Sequence, residues 1–191
     1  MLRFNLPGGG KEFLPATFCR QAASGAREWR FKGWAAQRPL YGLDRLAARP
    51  HAPVVVVEGE KAADAAAKLL PDQVVVSSPN GAKAAGKADW SMLRGRDVTI
   101  WPDNDHEGRS YAAALTKALR GITKSVRIVA STPGTPEKWD AADALAEGWD
   151  RAKAEKLIAA AVPADASVIT RPGAASGKGA EADGRGRAIT C

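Results

Sequence analysis

Apolar residues in the middle of the chain form short runs, separated by longer stretches of mixed polarity. The clearest run is the four valines at 54–57, which predicts a strand buried on both faces, as parallel strands are. Further strands are predicted at 73–77, 97–102 and 125–130, and helices at 60–70, around 88–93, and at 107–120, 140–147 and 150–161. Strands that alternate with helices predict an α/β fold with a mostly parallel sheet flanked by helices.

The segment before this core is predicted to be a small β-rich extension. Residues 1–12 contain a proline followed by three glycines and are predicted to be loose. Residues 13–34 alternate enough for a short hairpin with its turn at Ser24-Gly25. A short helix is predicted to end at Ala48.

The segment after the core has almost no large apolar residues, so it cannot bury enough surface to order itself. We predict a disordered tail, or a linker, over 163–191. The chain is therefore divided into a basic N-terminal extension at 1–49, an α/β domain at 50–162 and this tail.

Positive charge is concentrated in the extension. The net charge is +7, and residues 1–49 contain nine Lys or Arg against three Asp or Glu, whereas residues 50–162 contain fifteen of each. The extension is also rich in aromatic residues, and this combination attracts phosphates and stacks on bases. A solvated basic flank with a small aromatic core explains the composition equally well. The candidate nucleic-acid contacts are Arg27, Arg30, Lys32 and Trp34.

Composition excludes several classes of protein. Cys19 and Cys191 lie far apart, which provides neither a disulfide framework nor a zinc module. No apolar run is long enough for a transmembrane helix, and the first residues lack the apolar stretch of a signal peptide. We expect a cytoplasmic protein with no membrane partner.

Carboxylates follow two of the predicted strands. Glu58 follows the valine strand, and Asp103 and Asp105 follow the strand at 97–102. Because functional groups of open α/β sheets lie beyond the carboxyl ends of the strands, these three side chains are predicted to gather at one edge. Crowded carboxylates repel one another unless a cation lies among them, and such oxygen ligands favour Mg²⁺ or Mn²⁺. Taken singly, Glu58 is equally typical of a helix start and the aspartates of a turn.

Together, Glu58-Gly59 after one strand and Asp103-x-Asp105-x-x-Gly108 after another resemble the TOPRIM domain of primases, topoisomerases and some nucleases. The resemblance covers about residues 53–147. It implies a Rossmann-like sheet in which Glu58 acts as general acid/base and Asp103 and Asp105 bind Mg²⁺.

Further segments indicate which members of the TOPRIM family the chain resembles. Residues 38–43 look like the segment leading into the TOPRIM core of bacterial-type primases, and residues 138–143 look like the later acidic segment of the family. Residues 57–65, 78–83 and 101–105 resemble phage and plasmid primases or primase–helicase proteins. This similarity implies a single-stranded DNA template, nucleoside triphosphates, and a helicase or other replication protein as partners.

Other residues near this edge are weaker candidates. Possible phosphate or nucleotide contacts are Gly59, Lys61, Asn80, Gly81, Lys83 and Gly108. Asp140 and Asp143 are accessory acidic candidates, although helix capping explains Asp140 equally well.

One position departs from the family pattern. Bacterial-type primases often have an Asp four residues after the glutamate, where this chain has Ala62, and Asp64 lies on a different face of the helix. A metal ligand is therefore missing or replaced.

The expected function is a Mg²⁺-dependent primase-type nucleotidyl transferase in the DNA replication of a phage, prophage or plasmid. The chain has no zinc module and no helicase motor, so we expect one module of a larger replication machine. The alternatives are a TOPRIM nuclease, or a non-catalytic module that binds DNA or a replication protein, which Ala62 favours. A topoisomerase would need a tyrosine nucleophile, for which Tyr41 and Tyr111 have no supporting context. A receiver or phosphatase domain would favour Asp, not Glu58, after the first core strand.

Overall fold

The computed structural model describes residues 2–21, 23–33, 37–79, 82–131 and 134–164. Nearly all of the predicted disordered tail lies outside these residues.

Two antiparallel hairpins precede the core. Strands β1 (Leu2–Asn5) and β2 (Lys11–Leu14) form the first, and β3 (Thr17–Arg20) and β4 (Arg27–Arg30) form the second. The prediction that residues 1–12 are loose is wrong, because its glycines form the hairpin turn, in which Gly8 and Gly9 adopt positive φ angles of 94° and 88°.

A five-stranded sheet forms the core. After the short helix α1 (Leu43–Ala48), its strands are β5 (Val54–Val57), β6 (Val74–Ser77), β7 (Asp97–Ile100), β8 (Ser125–Ile128) and β9 (Val162–Pro163). The spatial order is β6-β5-β7-β8-β9, and only β9 is antiparallel to its neighbour. The predicted α/β class with a mostly parallel sheet is confirmed.

The remaining helices flank this sheet. They are α2 (Glu60–Leu69), α3 (His106–Leu119), α4 (Ala141–Ala146) and α5 (Arg151–Ala159). Two short 3₁₀ helices, Ala82–Lys87 and Ser91–Leu93, lie in the connection between β6 and β7, where one helical piece was predicted around 88–93. Each of the other core helices begins and ends within two residues of its predicted bounds.

The valines of β5 contribute to two separate hydrophobic clusters, one on each face of the sheet. Val55 and Val57 pack with α2, α4 and α5, whereas Val54 and Val56 pack with α1 and α3. This two-sided burial explains why the strand is apolar at every position. Within the described residues, no helix has the length and hydrophobicity needed to cross a membrane.

The strand order determines where a ligand can bind. From β5 the chain crosses to β6 on one side and then returns to β7 on the other side. Such a reversal opens a crevice at the carboxyl ends of the two strands on either side of it. The residues that follow β5 and β7 therefore face the same crevice.

Candidate functional site

Glu58 and Asp103 meet at this crevice. Glu58 follows β5 and Asp103 follows β7 after a short extended segment. The backbone N–H of Asp103 donates to Glu58 Oε1 at 3.1 Å, and Glu58 is only 8% exposed. The structure thus joins the two carboxylate-bearing segments directly.

Asp105 forms the start of α3. Its Oδ1 accepts a hydrogen bond from the N–H of Gly108 at 2.7 Å, so the side chain caps the helix. An acidic group is favourable here because helix N-termini have partial positive charge.

Gly108 allows α3 to lie close to the other two segments. A Cβ atom at this position would lie 2.0 Å from the carbonyl oxygen of Asp103 and 2.8 Å from Glu58 Oε1. No side chain fits there, so glycine is required for this approach. Its N–H is already bonded to Asp105.

A second pair of carboxylates lies at the start of α4. Asp140 accepts from the N–H groups of Ala142 (2.6 Å) and Asp143 (3.0 Å), and Asp143 accepts in return from the N–H of Asp140 (3.1 Å). This capping box satisfies orphan donors of the helix. Capping therefore accounts for both residues locally.

Asn104 connects the two acidic segments. Its N–H donates to the carbonyl of Trp139 at 2.9 Å, and its carbonyl accepts from the N–H of Lys138 at 3.1 Å. Its side-chain amide donates to the carbonyls of Thr135 and Pro136, both at 2.8 Å. These four bonds fix residues 103–105 relative to the segment that leads into Asp140.

The protonation of Asp103 reflects this crowding. Burial, followed by the charges of Glu58, Asp140, Asp105 and Asp143, raises the pKa of Asp103 to about 7. Four other carboxyl groups therefore lie within electrostatic reach of Asp103.

The pKa of Glu58 is also raised. Burial is the main cause, and the charges of Asp105, Glu107 and Asp140 add to it. The N–H of Asp103 opposes the shift because it stabilises the carboxylate. A carboxyl group with a raised pKa is suited to proton transfer near neutral pH.

The donor set at this edge suits a hard cation. Its groups are carboxylates, the ligand type that Mg²⁺ and Mn²⁺ prefer, and their mutual repulsion disfavours the fully ionised state without a cation. As these side chains stand, no group of three or more His, Cys, Asp or Glu in the described part of the chain could hold a metal ion.

Tyr111 of α3 contacts the ends of the strands that lead to the acidic edge. Its hydroxyl donates to the carbonyl of Val57 at 3.2 Å and contacts the hydroxyl of Ser78 at 3.3 Å. The side chain is 2% exposed, and burial raises the pKa of the phenol to about 12. The phenol thus links α3 to the ends of β5 and β6.

The structure does not bring Asp64 to the place of the missing aspartate. Ala62 is buried in the core, 3% exposed. Asp64 instead accepts from the hydroxyl of Tyr41 (2.8 Å) and the guanidinium of Arg45 (2.8 Å). These contacts hold the pKa of Asp64 below its usual range and tie α2 to α1.

The candidate phosphate contacts fall into two groups. Gly59 precedes α2 with open space where a Cβ would be, and Lys61 is exposed in the first turn of that helix. Asn80 and Gly81 lie outside the described residues, as does the side chain of Lys83.

A cleft of about 300 Å³ opens beside Asn104 at the carboxyl ends of β7 and β8. Its wall includes Trp101, Trp139 and Trp149, whose rings lie in a row, tilted against one another, with centroid distances of 6.1 Å and 5.1 Å. Glu147 accepts from both the Trp139 and the Trp149 indole N–H groups. The acidic edge therefore adjoins an aromatic wall.

Sequence reasoning missed Asn104 and the structural role of Tyr111. The position of Asn104 between the two aspartates was a usable signal, because an amide there can reach a neighbouring loop. For Tyr111 the signal was weaker, since an aromatic residue on an amphipathic helix is ordinary core.

No protein-family model matches the chain, and no curated protein matches it in sequence. Among solved structures, a DnaG catalytic core matches with a TM-score of 0.52 at 20% identity, over 81% of this chain and 50% of that one. The chain has the primase-like TOPRIM fold. The E. coli primase catalytic core matches with a TM-score of 0.49 at 24% identity. The match covers 65% of the present chain and 39% of the E. coli chain.

A further match is a complex of bacteriophage T7 lagging-strand DNA polymerase with primase domains of two gp4 subunits bound to an RNA/DNA hybrid and dTTP. It has a TM-score of 0.46 at 28% identity, over 59% of this chain and 56% of that one. The TOPRIM-fold chain thus spans between 39% and 56% of the length of these three structures.

Proposed function

We propose that this chain is a Mg²⁺- or Mn²⁺-dependent primase-type nucleotidyl transferase module. The observation that carries the proposal is the meeting of Glu58 and Asp103 at the reversal point of the sheet, with the backbone of one bonded to the carboxylate of the other. A carboxylate cluster at this place is the arrangement that phosphoryl-transfer enzymes use to hold cations.

Each acidic residue has a proposed role. Asp103 and Asp105 would hold the cation, and Glu58 would take or deliver the proton of the attacking hydroxyl. A bound cation would neutralise nucleotide phosphates and the charge that develops during transfer. The raised pKa of Glu58 supports a proton-transfer role, because a carboxyl group that titrates closer to neutrality is a better acid/base pair.

The proposed substrates are a single-stranded DNA template and nucleoside triphosphates, and a helicase or other replication protein is the proposed partner. The resemblance of residues 57–65, 78–83 and 101–105 to phage and plasmid primases supports a role in replication of a phage, prophage or plasmid. Gly59 and Lys61 remain the proposed phosphate contacts among the described residues.

A non-catalytic module that binds DNA or a replication protein is the second candidate. The observation in its favour is the replacement of the family aspartate by the buried Ala62, with Asp64 engaged by Tyr41 and Arg45 instead. A weakened cation site would leave binding intact and lose polymerisation.

Primer synthesis on single-stranded DNA tests the proposal. Wild type, Asp103→Ala/Asp105→Ala and the control Asp97→Asn are incubated with labelled nucleotides and Mg²⁺ or Mn²⁺. Asp97 lies at the opposite end of β7, where it binds Lys124 and Ser125. We expect primers from wild type and the control, and at least a hundredfold loss, about 2.7 kcal/mol or more, in the double variant.

Three other results have defined meanings. Cation-dependent cleavage of the template, lost in the double variant, would assign a nuclease instead. DNA binding without synthesis or cleavage would assign the non-catalytic module. Equal synthesis by the double variant and wild type would contradict the assigned site.

A further inference from the structure

The two N-terminal hairpins carry most of the exposed apolar surface of the described residues. Of seven large hydrophobic side chains that are exposed, six are in these hairpins or directly after β4, and Met92 is the seventh. The six are Leu2, Phe4, Leu6, Phe18, Trp29 and Phe31. An exposed apolar surface of this kind marks an interaction site.

The register of the second hairpin arranges this surface. Phe18 lies directly opposite Trp29, and Arg20 lies directly opposite Arg27. Because side chains two residues apart on a strand share a face, all four project from the same face of the hairpin. The Phe18 and Trp29 rings are 5.3 Å apart, and these residues are 53% and 70% exposed. We call these four residues the aromatic–arginine face.

The opposite face of this hairpin is different. Thr17 is buried there, and its hydroxyl donates to the carbonyl of Lys32 at 2.6 Å. Glu28 is on that face as well, and it accepts from Arg30 Nε at 2.8 Å and from the amide of Gln21 at 2.8 Å. The carboxylate of this hairpin is therefore held away from the aromatic–arginine face.

Within the described residues, Arg20 and Arg27 of the aromatic–arginine face form no ion pair with an acidic side chain. Like charges directly opposite each other on paired strands are destabilising. An anionic ligand would relieve this repulsion.

We propose that the aromatic–arginine face binds single-stranded nucleic acid, with Phe18 and Trp29 stacking on unpaired bases and Arg20 and Arg27 contacting phosphates. Aromatic rings beside cationic side chains are the combination that binds single strands without sequence preference. A groove of about 270 Å³ extends from Trp29 to Phe31 and Leu2 and offers further apolar contact beside the pair.

The register distributes the predicted nucleic-acid contacts over different parts of the hairpin. Arg27 belongs to the aromatic–arginine face, but Arg30 is on the other face and is held by Glu28. Lys32 lies beyond the end of β4, and Trp34 lies outside the described residues. Phe18 and Arg20 were not among the predicted contacts.

This inference does not rest on the proposed catalytic function. Stacking and phosphate contacts need no cation and no reaction, so binding is measured in a chelator with the Asp103→Ala/Asp105→Ala chain. Failure of binding and failure of primer synthesis are therefore separate results.

Fluorescence anisotropy of labelled oligothymidylate and oligouridylate measures the affinity over a range of salt concentrations. We expect Phe18→Ala/Trp29→Ala to weaken binding by about tenfold or more. Arg20→Gln/Arg27→Gln should reduce the slope of log affinity against log salt by about 1.4, which corresponds to two lost phosphate contacts. The DNA and RNA arms differ only if the 2′-hydroxyl is recognised.

Matched controls separate this face from general charge. Arg94→Gln/Arg120→Gln removes the same charge from exposed positions of the core and should leave the salt slope unchanged. Phe18→Tyr/Trp29→Phe keeps an aromatic ring at each of the two positions and should retain wild-type affinity. A duplex of equal length should bind more weakly and be insensitive to the aromatic substitutions, because its bases are already stacked.

Three results would overturn the proposal. One is wild-type affinity in Phe18→Ala/Trp29→Ala with circular dichroism unchanged. The second is an equal reduction of the salt slope by the core control. The third is a loss of duplex binding in Phe18→Ala/Trp29→Ala that equals its loss of single-strand binding. If Phe18→Ala/Trp29→Ala loses the hairpin structure, Phe18→Tyr/Trp29→Phe provides the test. Reduced affinity in that variant with its structure intact would then overturn the proposal.

Discussion

Asp103 has a strongly raised pKa at the acidic edge. Its carboxyl group has a pKa of about 7, because burial and four neighbouring carboxylates disfavour the charged form. The ordinary value for this group is 3.8. A raised native-state pKa means that the folded protein takes up a proton that the unfolded chain has already lost.

The sign of the effect on stability follows from linkage. Between 3.8 and about 7 the folded protein holds more protons than the unfolded chain, so stability falls as pH rises through this window. We predict that Asp103→Asn, measured in a chelator, raises the melting temperature relative to wild type more at about pH 8.5 than at about pH 5. Thermal unfolding followed by circular dichroism at the two pH values measures the difference.

Asp97→Asn, at the start of the strand that leads to Asp103, is a control in which the pKa of the carboxyl group is lowered, not raised. Ser125 and Lys124 lower the pKa of Asp97, so its contribution is present above 3.8 and is lost as pH falls below it. This variant should be no more stable than wild type at either pH. A larger gain for Asp103→Asn at the lower pH would contradict the assigned cause.

The acidic residues could be predicted from sequence because their positions depend only on strand ends. Glu58 and Asp103 follow apolar runs, and adjacent parallel strands bring their carboxyl ends together. The position of Asn104 indicates that its amide can reach a neighbouring loop, but its bonding partners could not be predicted, since they depend on the path of a distant loop in which Lys138 adopts a φ of +62°. The contacts of Asp64 with Tyr41 and Arg45 likewise depend on where α1 packs.

Helix α3 lies against both acidic segments at Gly108. At Gly108 the backbone of Asp103 and the carboxylate of Glu58 fill the space that a side chain would need. A substitution here changes the distance between the helix and both acidic segments.

We predict that Gly108→Ala destabilises the protein by about 1–3 kcal/mol, because the added methyl group overpacks the contact. This net cost already includes the gain of about 1 kcal/mol that alanine otherwise brings to a helix. Urea unfolding measures the change, and primer synthesis should fall with it. Wild-type stability in this variant would contradict the close approach.

Gly59→Ala, at the start of α2, is the matched control for Gly108→Ala in α3. A Cβ at Gly59 meets nothing within 4 Å, and the φ of −129° suits any residue. We expect a change within about 0.5 kcal/mol.

The differences between the predicted and the observed secondary-structure elements have identifiable causes. The first hairpin was missed because its glycines were interpreted as a flexible run, whereas they form the turn between β1 and β2. Strand β9 was missed because it has only two residues and is defined by its pairing with β8. The core strands and helices were predictable because each has an apolar run or face long enough to be recognised.

Three helices of the core begin close to this edge: α2 after β5, α3 after β7, and α4 after the segment bound by Asn104. A cation bound there would favour the folded state over the unfolded chain.

We predict that Mg²⁺ or Mn²⁺ stabilises wild type at about pH 8.5 by about 2.7 kcal/mol when its concentration is about 100 times the dissociation constant. Asp103→Asn should lose this cation-dependent gain, and Asp97→Asn should keep it. Thermal unfolding with and without cation measures the effect. Equal stabilisation of all three chains would indicate nonspecific binding.

The four hydrogen bonds of Asn104 have a mechanical consequence. Because they fasten residues 103–105 to 135–139, neither loop can swing open by itself. Any opening that widens the crevice must carry the start of α4 along or break these bonds together. Amide hydrogens at 104 and 138 should therefore exchange with solvent as one cooperative unit.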